Sequence, residues 1–119
     1  MTVDKMLQRL DELCELEENW NSYGSKSLDT SRIWLARTML VTLVEMHRCP
    51  VPYLYPTNDG GLRVEWTRGP KELSLELDLT TFEGYYHVLD TKNDRDYDLD
   101  LDMSLATNFQ VLAELVNNT

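Results

Sequence analysis

The feature that most constrains this chain is a change of hydrophobic period near Tyr53. Before it, apolar residues recur every three or four positions. After it they recur every second position. A 3.6-residue period buries one stripe of a helix, and a period of two buries one face of a strand, so the chain must hold both kinds of element. Val3, Met6, Leu7, Leu10, Leu13 and Cys14, with Asp4, Asp11, Glu12 and Glu15 between them, predict an amphipathic helix over Thr2 to about Glu18, capped by Thr2 or Asp4. Ile33, Trp34, Ala36, Leu40, Leu43, Val44 and Met46 predict a second helix with a broad apolar surface. It runs from a cap at Asp29 or Ser31 to about Arg48, where Pro50 and Pro52 forbid continuation. Between them, Asn19 to Ser27 is rich in turn formers yet carries Trp20 and Tyr23, which are expected to pin the loop to the core.

The second half reads as strands. Tyr53 to Thr57 is extended, and Asn58-Asp59-Gly60-Gly61 supplies a hairpin turn. Leu62, Val64 and Trp66 alternate with Arg63 and Glu65, then Leu73, Leu75, Leu77 and Leu79 alternate with Ser74, Glu76 and Asp78. Tyr85 to Asp90 makes another strand, and Tyr97, Leu99, Leu101 and Met103 alternate with Asp98, Asp100 and Asp102. A closing helix over Ser104 to Asn117 places Leu105, Phe109, Leu112, Ala113 and Val116 on one side. The order predicts an α+β two-layer domain. Two N-terminal helices and one C-terminal helix pack against a four- to five-stranded, mainly antiparallel sheet, with residues 1–119 forming a single domain. Clean alternation in every strand means one sheet face is covered and the other is wet.

Charge narrows the function classes. The chain has 21 Asp and Glu against 11 Lys and Arg, a net charge of −10, and its field repels phosphate. No direct nucleic-acid partner and no membrane partner is therefore expected. With no apolar run near the length of a membrane span and no signal core, a cytoplasmic location in a bacterial cell is the expectation. The negative charge is concentrated: Glu72 to Asp102 holds 10 acids against 2 bases, whereas Met1 to Pro50 holds 8 against 6. On the strand reading, Glu76 and Asp78 share a face with Asp98, Asp100 and Asp102. Side chains two apart on a strand lie about 6.6 Å apart, which makes an array of carboxylates. Such an array is either a solvated face that keeps an open sheet soluble, or a docking surface for a basic partner. The aromatic residues Trp20, Tyr23, Tyr53, Tyr55, Trp66, Tyr85 and Tyr86 belong mostly to the core, and any left on a rim beside acids is a candidate interface anchor.

Catalytic and metal patterns are weak. Asp94-x-Asp96-x-Asp98 resembles the start of a calcium loop. The glycine and glutamate such a loop needs at its sixth and twelfth positions are replaced by Leu99 and Leu105, or by Leu101 and Thr107 one register on. His47, His87, Cys14 and Cys49 include no short chelating pair. The two cysteines sit at positions on the helix pair that differ by about 15–20 Å, whereas a disulfide needs Cα atoms within about 7 Å. No nucleophile elbow and no glycine-rich phosphate loop opens a helix. Neither an enzyme nor a cofactor is expected.

Two segments carry a resemblance. Trp20-Asn21-Ser22-Tyr23-Gly24-Ser25 and Pro56-Thr57-Asn58-Asp59-Gly60-Gly61-Leu62-Arg63-Val64-Glu65-Trp66 resemble those of a group of small, uncharacterised bacterial and phage proteins. The group is marked by a W-[DN]-x-Y-G loop after the first helix and a P-T-x-D-G-G-x-x-x-E-W hairpin, and Asn21 departs from the commoner acidic residue. The resemblance covers about half the chain. It implies a bacterial or phage origin among small accessory proteins and supplies no catalytic residues. The leading expectation is a small acidic non-enzymatic protein that inhibits a basic, nucleic-acid-binding partner, as an anti-CRISPR or other anti-defence inhibitor does. The alternatives are an antitoxin or immunity-like accessory protein, and a small metal-dependent enzyme. The residues expected to meet the partner are Glu76, Asp78, Tyr85, Asp96, Asp98, Asp100 and Asp102; a dimer is possible on sequence grounds.

Overall fold

The computed structural model describes residues 1–119. In chain order it contains α1 (Val3–Cys14), α2 (Ile33–Val41), β1 (Tyr53–Pro56), β2 (Leu62–Arg68), β3 (Lys71–Leu77), β4 (Glu83–Asp90), β5 (Arg95–Asp102) and α3 (Thr107–Asn117). The fold is α+β, as expected. The five strands form one antiparallel meander in the order β1-β2-β3-β4-β5.

Helix boundaries differ from the periodicity reading in ways that have local causes. Thr2 caps α1, its Oγ1 accepting from Lys5 N at 3.2 Å, but α1 ends at Cys14 rather than Glu18. Asp29 does not cap α2. Its Oδ1 accepts from Ser31 N and Oγ and its Oδ2 from Thr80 Oγ1, which spends it on a turn that delays the helix to Ile33. Beyond Val41 the helix widens into a π turn over Thr42–Met46, with His47 N donating to Thr42 O at 3.2 Å. Arg48 then takes a left-handed φ of 61° and Pro50 ends the path. Leu105 lies before α3 and is 52% exposed instead of facing the core.

The core lies between the helices and one sheet face. Leu54, Val64, Leu75, Tyr86 and Leu99 are aligned across the five strands. Leu62, Leu77, Gly84 and Leu101 form the next row, and Trp66, Leu73, Val88 and Tyr97 the row on the other side. Met6, Leu10, Leu13, Ala36, Met39, Leu40, Leu43, Phe109, Leu112 and Val116 close over them. Trp66 is buried and its Nε1 donates to Pro50 O at 2.8 Å. Both cysteines are free, Cys14 half-buried and Cys49 buried. No helix is long and apolar enough to cross a membrane.

The two sheet edges are guarded differently. On β1, Arg9 from α1 donates its Nε to Leu54 O at 3.2 Å, so the helix occupies part of that edge. On β5 the segment leading into α3 holds the last edge carbonyl, Asp102 O accepting from Asn108 Nδ2 at 2.8 Å and from Leu105 N at 3.3 Å, and alternate residues along the strand are aspartates, whose charge opposes pairing with another strand.

Candidate functional site

The helices cover one face of the sheet and leave the other open. Strand alternation decides which residues stand on the open face, and register decides which stand together. One row runs Tyr53, Glu65, Ser74, His87, Asp98. The next runs Tyr55, Arg63, Glu76, Tyr85, Asp100. Thr67, Glu72, Leu89 and Asp96 flank them at one end, and Glu83 with Asp102 at the other.

Six of the seven residues expected to meet a partner therefore share this face: Glu76, Tyr85, Asp96, Asp98, Asp100 and Asp102. They are not equivalent. Glu76 is paired with Arg63, whose Nη1 lies 3.2 Å from its Oε1, while Arg63 Nε also bonds Glu65. A single guanidinium is thus shared by two carboxylates in the middle of the face, which leaves that trio with a net negative charge. Tyr85 Oη donates to Asp98 Oδ2 at 3.0 Å. That bond, together with the negative charge around it, raises the tyrosine's pKa. Its ring stacks on His87 with centroids 6.3 Å apart and planes 9° apart. His87 Nε2 in turn lies 3.6 Å from Asp96 Oδ2. Asp102 holds the turn into α3, accepting from Ser104 N and Oγ, and the Ser104 hydroxyl bond lowers its pKa. None of the four β5 aspartates is paired with a lysine or arginine.

Asp78 departs from the expectation. It lies just past β3, and its Oδ1 accepts from Thr80 N at 2.8 Å and Thr81 N at 3.1 Å. It shapes the β3–β4 turn and borders a cleft of about 290 Å³ with Glu76, Glu83, Tyr85, Asp100 and the Asp59–Gly61 hairpin. Strand periodicity continued through Leu79 because Leu79 is buried, although the ladder has already ended.

The two resembling segments form one structure rather than two. Asn58 of the hairpin accepts through Oδ1 from Ser25 Oγ at 2.8 Å and Asn21 Nδ2 at 3.2 Å, and its backbone O accepts from Lys26 N at 3.0 Å. Gly60 O accepts from Asp29 N at 3.1 Å. Trp20 closes the loop by donating Nε1 to Lys26 O at 2.9 Å and is only half-buried. Tyr23 is 91% exposed, which corrects the expectation that its ring would pin the loop to the core. Polar bonds and backbone turns do that work instead.

Sequence reasoning grouped the acids but missed Tyr53 and Tyr55 as members of the same face, and it missed Arg63 as the partner of Glu76. Only cross-strand register supplies those neighbours. No three His, Cys, Asp or Glu side chains come together in a way that could hold a metal ion. The fold and the site define a two-layer α+β domain with an uncovered, acid-edged sheet face. The chain matches no family model, no curated protein and no solved structure.

Proposed function

We propose that this chain is a small acidic binding protein, without catalytic activity of its own, that inhibits a basic partner by docking it on the open sheet face. The observation that carries the reading is the β5 row Asp96, Asp98, Asp100 and Asp102, aligned on an uncovered face with no lysine or arginine to balance it. Unbalanced like charges on one face raise the rate of encounter with a cationic surface and discourage anionic competitors. The partner class this favours is a cytoplasmic nucleic-acid-binding protein, as in inhibition of a bacterial defence complex. The four aspartates span about 20 Å, over which duplex DNA presents about a dozen charges, so the face works as a docking patch rather than a replica of a duplex.

The test uses the wild-type chain and the triple variant Asp96→Asn, Asp98→Asn, Asp100→Asn, which leaves the Asp102 turn intact. Each is used to capture partners from a bacterial lysate. The purified captured protein is then followed by stopped-flow association at low and physiological salt, and its nucleic-acid binding is measured with and without the chain. The expected result is a basic protein whose association slows steeply with salt, because exposed charges are screened beyond about 8–10 Å. Its nucleic-acid binding should be lost on capture, and its affinity for the triple variant should fall about tenfold or more. An association rate flat with salt, or unchanged affinity of the variant, refutes the reading. A captured toxin that does not bind nucleic acid but loses its activity moves the function to an antitoxin.

A further inference from the structure

Apart from the β5 aspartates, the open face holds a hollow of about 230 Å³ over β2, β3 and β4, with Ser74 on the middle strand. The other outward positions within β3 are Glu72 and Glu76, so the short serine side chain leaves a depression among longer neighbours. Glu65 and His87 flank it in its own row, and Thr67, Glu72 and Leu89 stand in the next. Trp66 and Leu73 also border the hollow; their side chains are buried in the core, so they do so as strand backbone. Ser74 is only 8% exposed, and its hydroxyl forms no hydrogen bond within the chain. Both cross-strand neighbours are engaged elsewhere, Glu65 with Arg63 and His87 with Asp96. A polar group this buried is ordinarily bonded, and the open side of this one is the hollow.

We propose that this hollow is a site for one guanidinium group, the side chain of an arginine carried by the basic partner. The inference rests on the reading of the face as a docking surface and names the residue type that the face selects. Charge decides the sign of the occupant. Among the lining side chains Glu65 and Glu72 outnumber Arg63, which is itself shared between Glu65 and Glu76. Glu72 has no lysine or arginine partner, so the hollow favours a cation over an anion. Shape decides which cation. Tyr85 stacks on one face of the His87 ring, with planes 9° apart. The hollow extends from His87 toward Leu89, away from Tyr85, and so meets the other face of that ring. A flat ring face suits a planar guanidinium better than a compact ammonium. Hydrogen bonding agrees: a guanidinium has five N–H donors and no acceptor, and the Glu72 carboxylate and Ser74 Oγ are free to accept. The volume exceeds the about 150 Å³ that admits benzene, which leaves room for part of the alkyl stem beside Leu89 and Thr67.

The probe is N-acetylarginine amide, a single residue with neutral ends, titrated at physiological salt into the nitrogen-15-labelled chain and followed by amide chemical shifts. The shifts should saturate with a Kd of about 1 mM and centre on Ser74 and its neighbours on β2 and β4. N-acetylcitrulline amide, which has the same shape without the charge, should bind about tenfold weaker or more. N-acetyllysine amide should also bind severalfold weaker. Ser74→Leu fills the hollow while leaving every charge in place, and it should abolish the saturable shifts; Ser74→Ala should weaken binding several-fold. Melting temperature establishes that both variants are folded. Arginine binding that survives Ser74→Leu, a non-saturating drift shared equally by the arginine and lysine amides, or saturable shifts with inorganic phosphate in place of the arginine amide overturns the site. Failure here is separable from failure of the docking reading. The Asp96, Asp98, Asp100 triple variant should keep the probe's shifts around Ser74, and their loss in that variant also overturns the site. The β5 docking role is decided by the salt dependence of partner association and not by this probe.

Discussion

Replacing Gly60 with alanine tests whether the hairpin and the Trp20–Ser27 loop brace one another, and Gly24→Ala is its built-in control. Both glycines have left-handed backbone, φ 84° and 81°. A Cβ in that conformation costs about 1–2 kcal/mol at either position. Around Gly24 the added carbon meets nothing within 4 Å. At Gly60 it would lie 2.6 Å from Ser27 O, a backbone atom that cannot swing aside. Relieving the clash separates the two segments. It breaks Lys26 N to Asn58 O and Asp29 N to Gly60 O, each worth about 1 kcal/mol. It also strands the hydroxyl of Ser25, 2% exposed and bonded to Asn58 Oδ1. Gly60→Ala should therefore cost about 4 kcal/mol or more, against about 1–2 for Gly24→Ala. For a chain of this length that difference is a gap in Tm of roughly 10 °C, readable by thermal melts and by the urea midpoint at constant slope. Equal losses in the two variants would refute the bracing argument, because the penalty would then be conformational alone.

Two further outcomes follow from the core. Trp66→Ala removes a ring that is 3% exposed and should cost about 3–5 kcal/mol by urea denaturation, while Trp66→Phe should lose less; a melting temperature within a degree of wild type would contradict its place in the core. Burial pushes the Cys49 thiol from 9.0 to about 11 and the Tyr86 hydroxyl from 10.0 to about 12. Tyr86 Oη has no hydrogen-bond partner, and the nearby Thr119 side chain only partly opposes its rise. Because the fold holds both groups protonated, the unfolded chain releases their protons first. Stability is then level below pH 9 and falls as pH rises through the interval up to 11, with Tyr86 extending the loss toward 12. Cys49→Ala should delay the onset. At the other extreme, hydrogen bonds from Ser31, Asn93 and Ser104 lower the pKa of Asp29, Asp90 and Asp102 below 3.8, so their contribution is present above that pH and lost below it. A flat alkaline limb in Tm against pH would contradict the burial of Cys49 and Tyr86.

What the sequence determined by itself is whatever depends on near neighbours. The change of period at Tyr53 separates helices from strands, and alternation assigns Leu73, Leu75 and Leu77 inward and Asp96, Asp98, Asp100 and Asp102 outward. Asn58-Asp59-Gly60-Gly61 marks its own turn. Each of these follows from steric preference within a few residues, and burial then reinforces it. Boundaries were less legible where side chains had other uses: Asp29 spends its oxygens on Ser31 and Thr80 instead of starting α2, and Leu79 is buried without being in a strand.

Tertiary structure decided what meets across the chain. Periodicity places Tyr55, Arg63, Glu76, Tyr85 and Asp100 each on an outer face, but only the pairing of five strands sets them in one row and brings Arg63 to Glu76. Nothing local indicates that Asn58 would hold Ser25 and Asn21, residues 33 and 37 positions earlier, or that Tyr23 would be left in solvent once those bonds had fixed its loop. The reason is the range of the interactions. Secondary structure is selected by contacts a few residues apart, whereas the charge and aromatic content of a surface is selected by register between distant segments, which one sequence read along its length does not display.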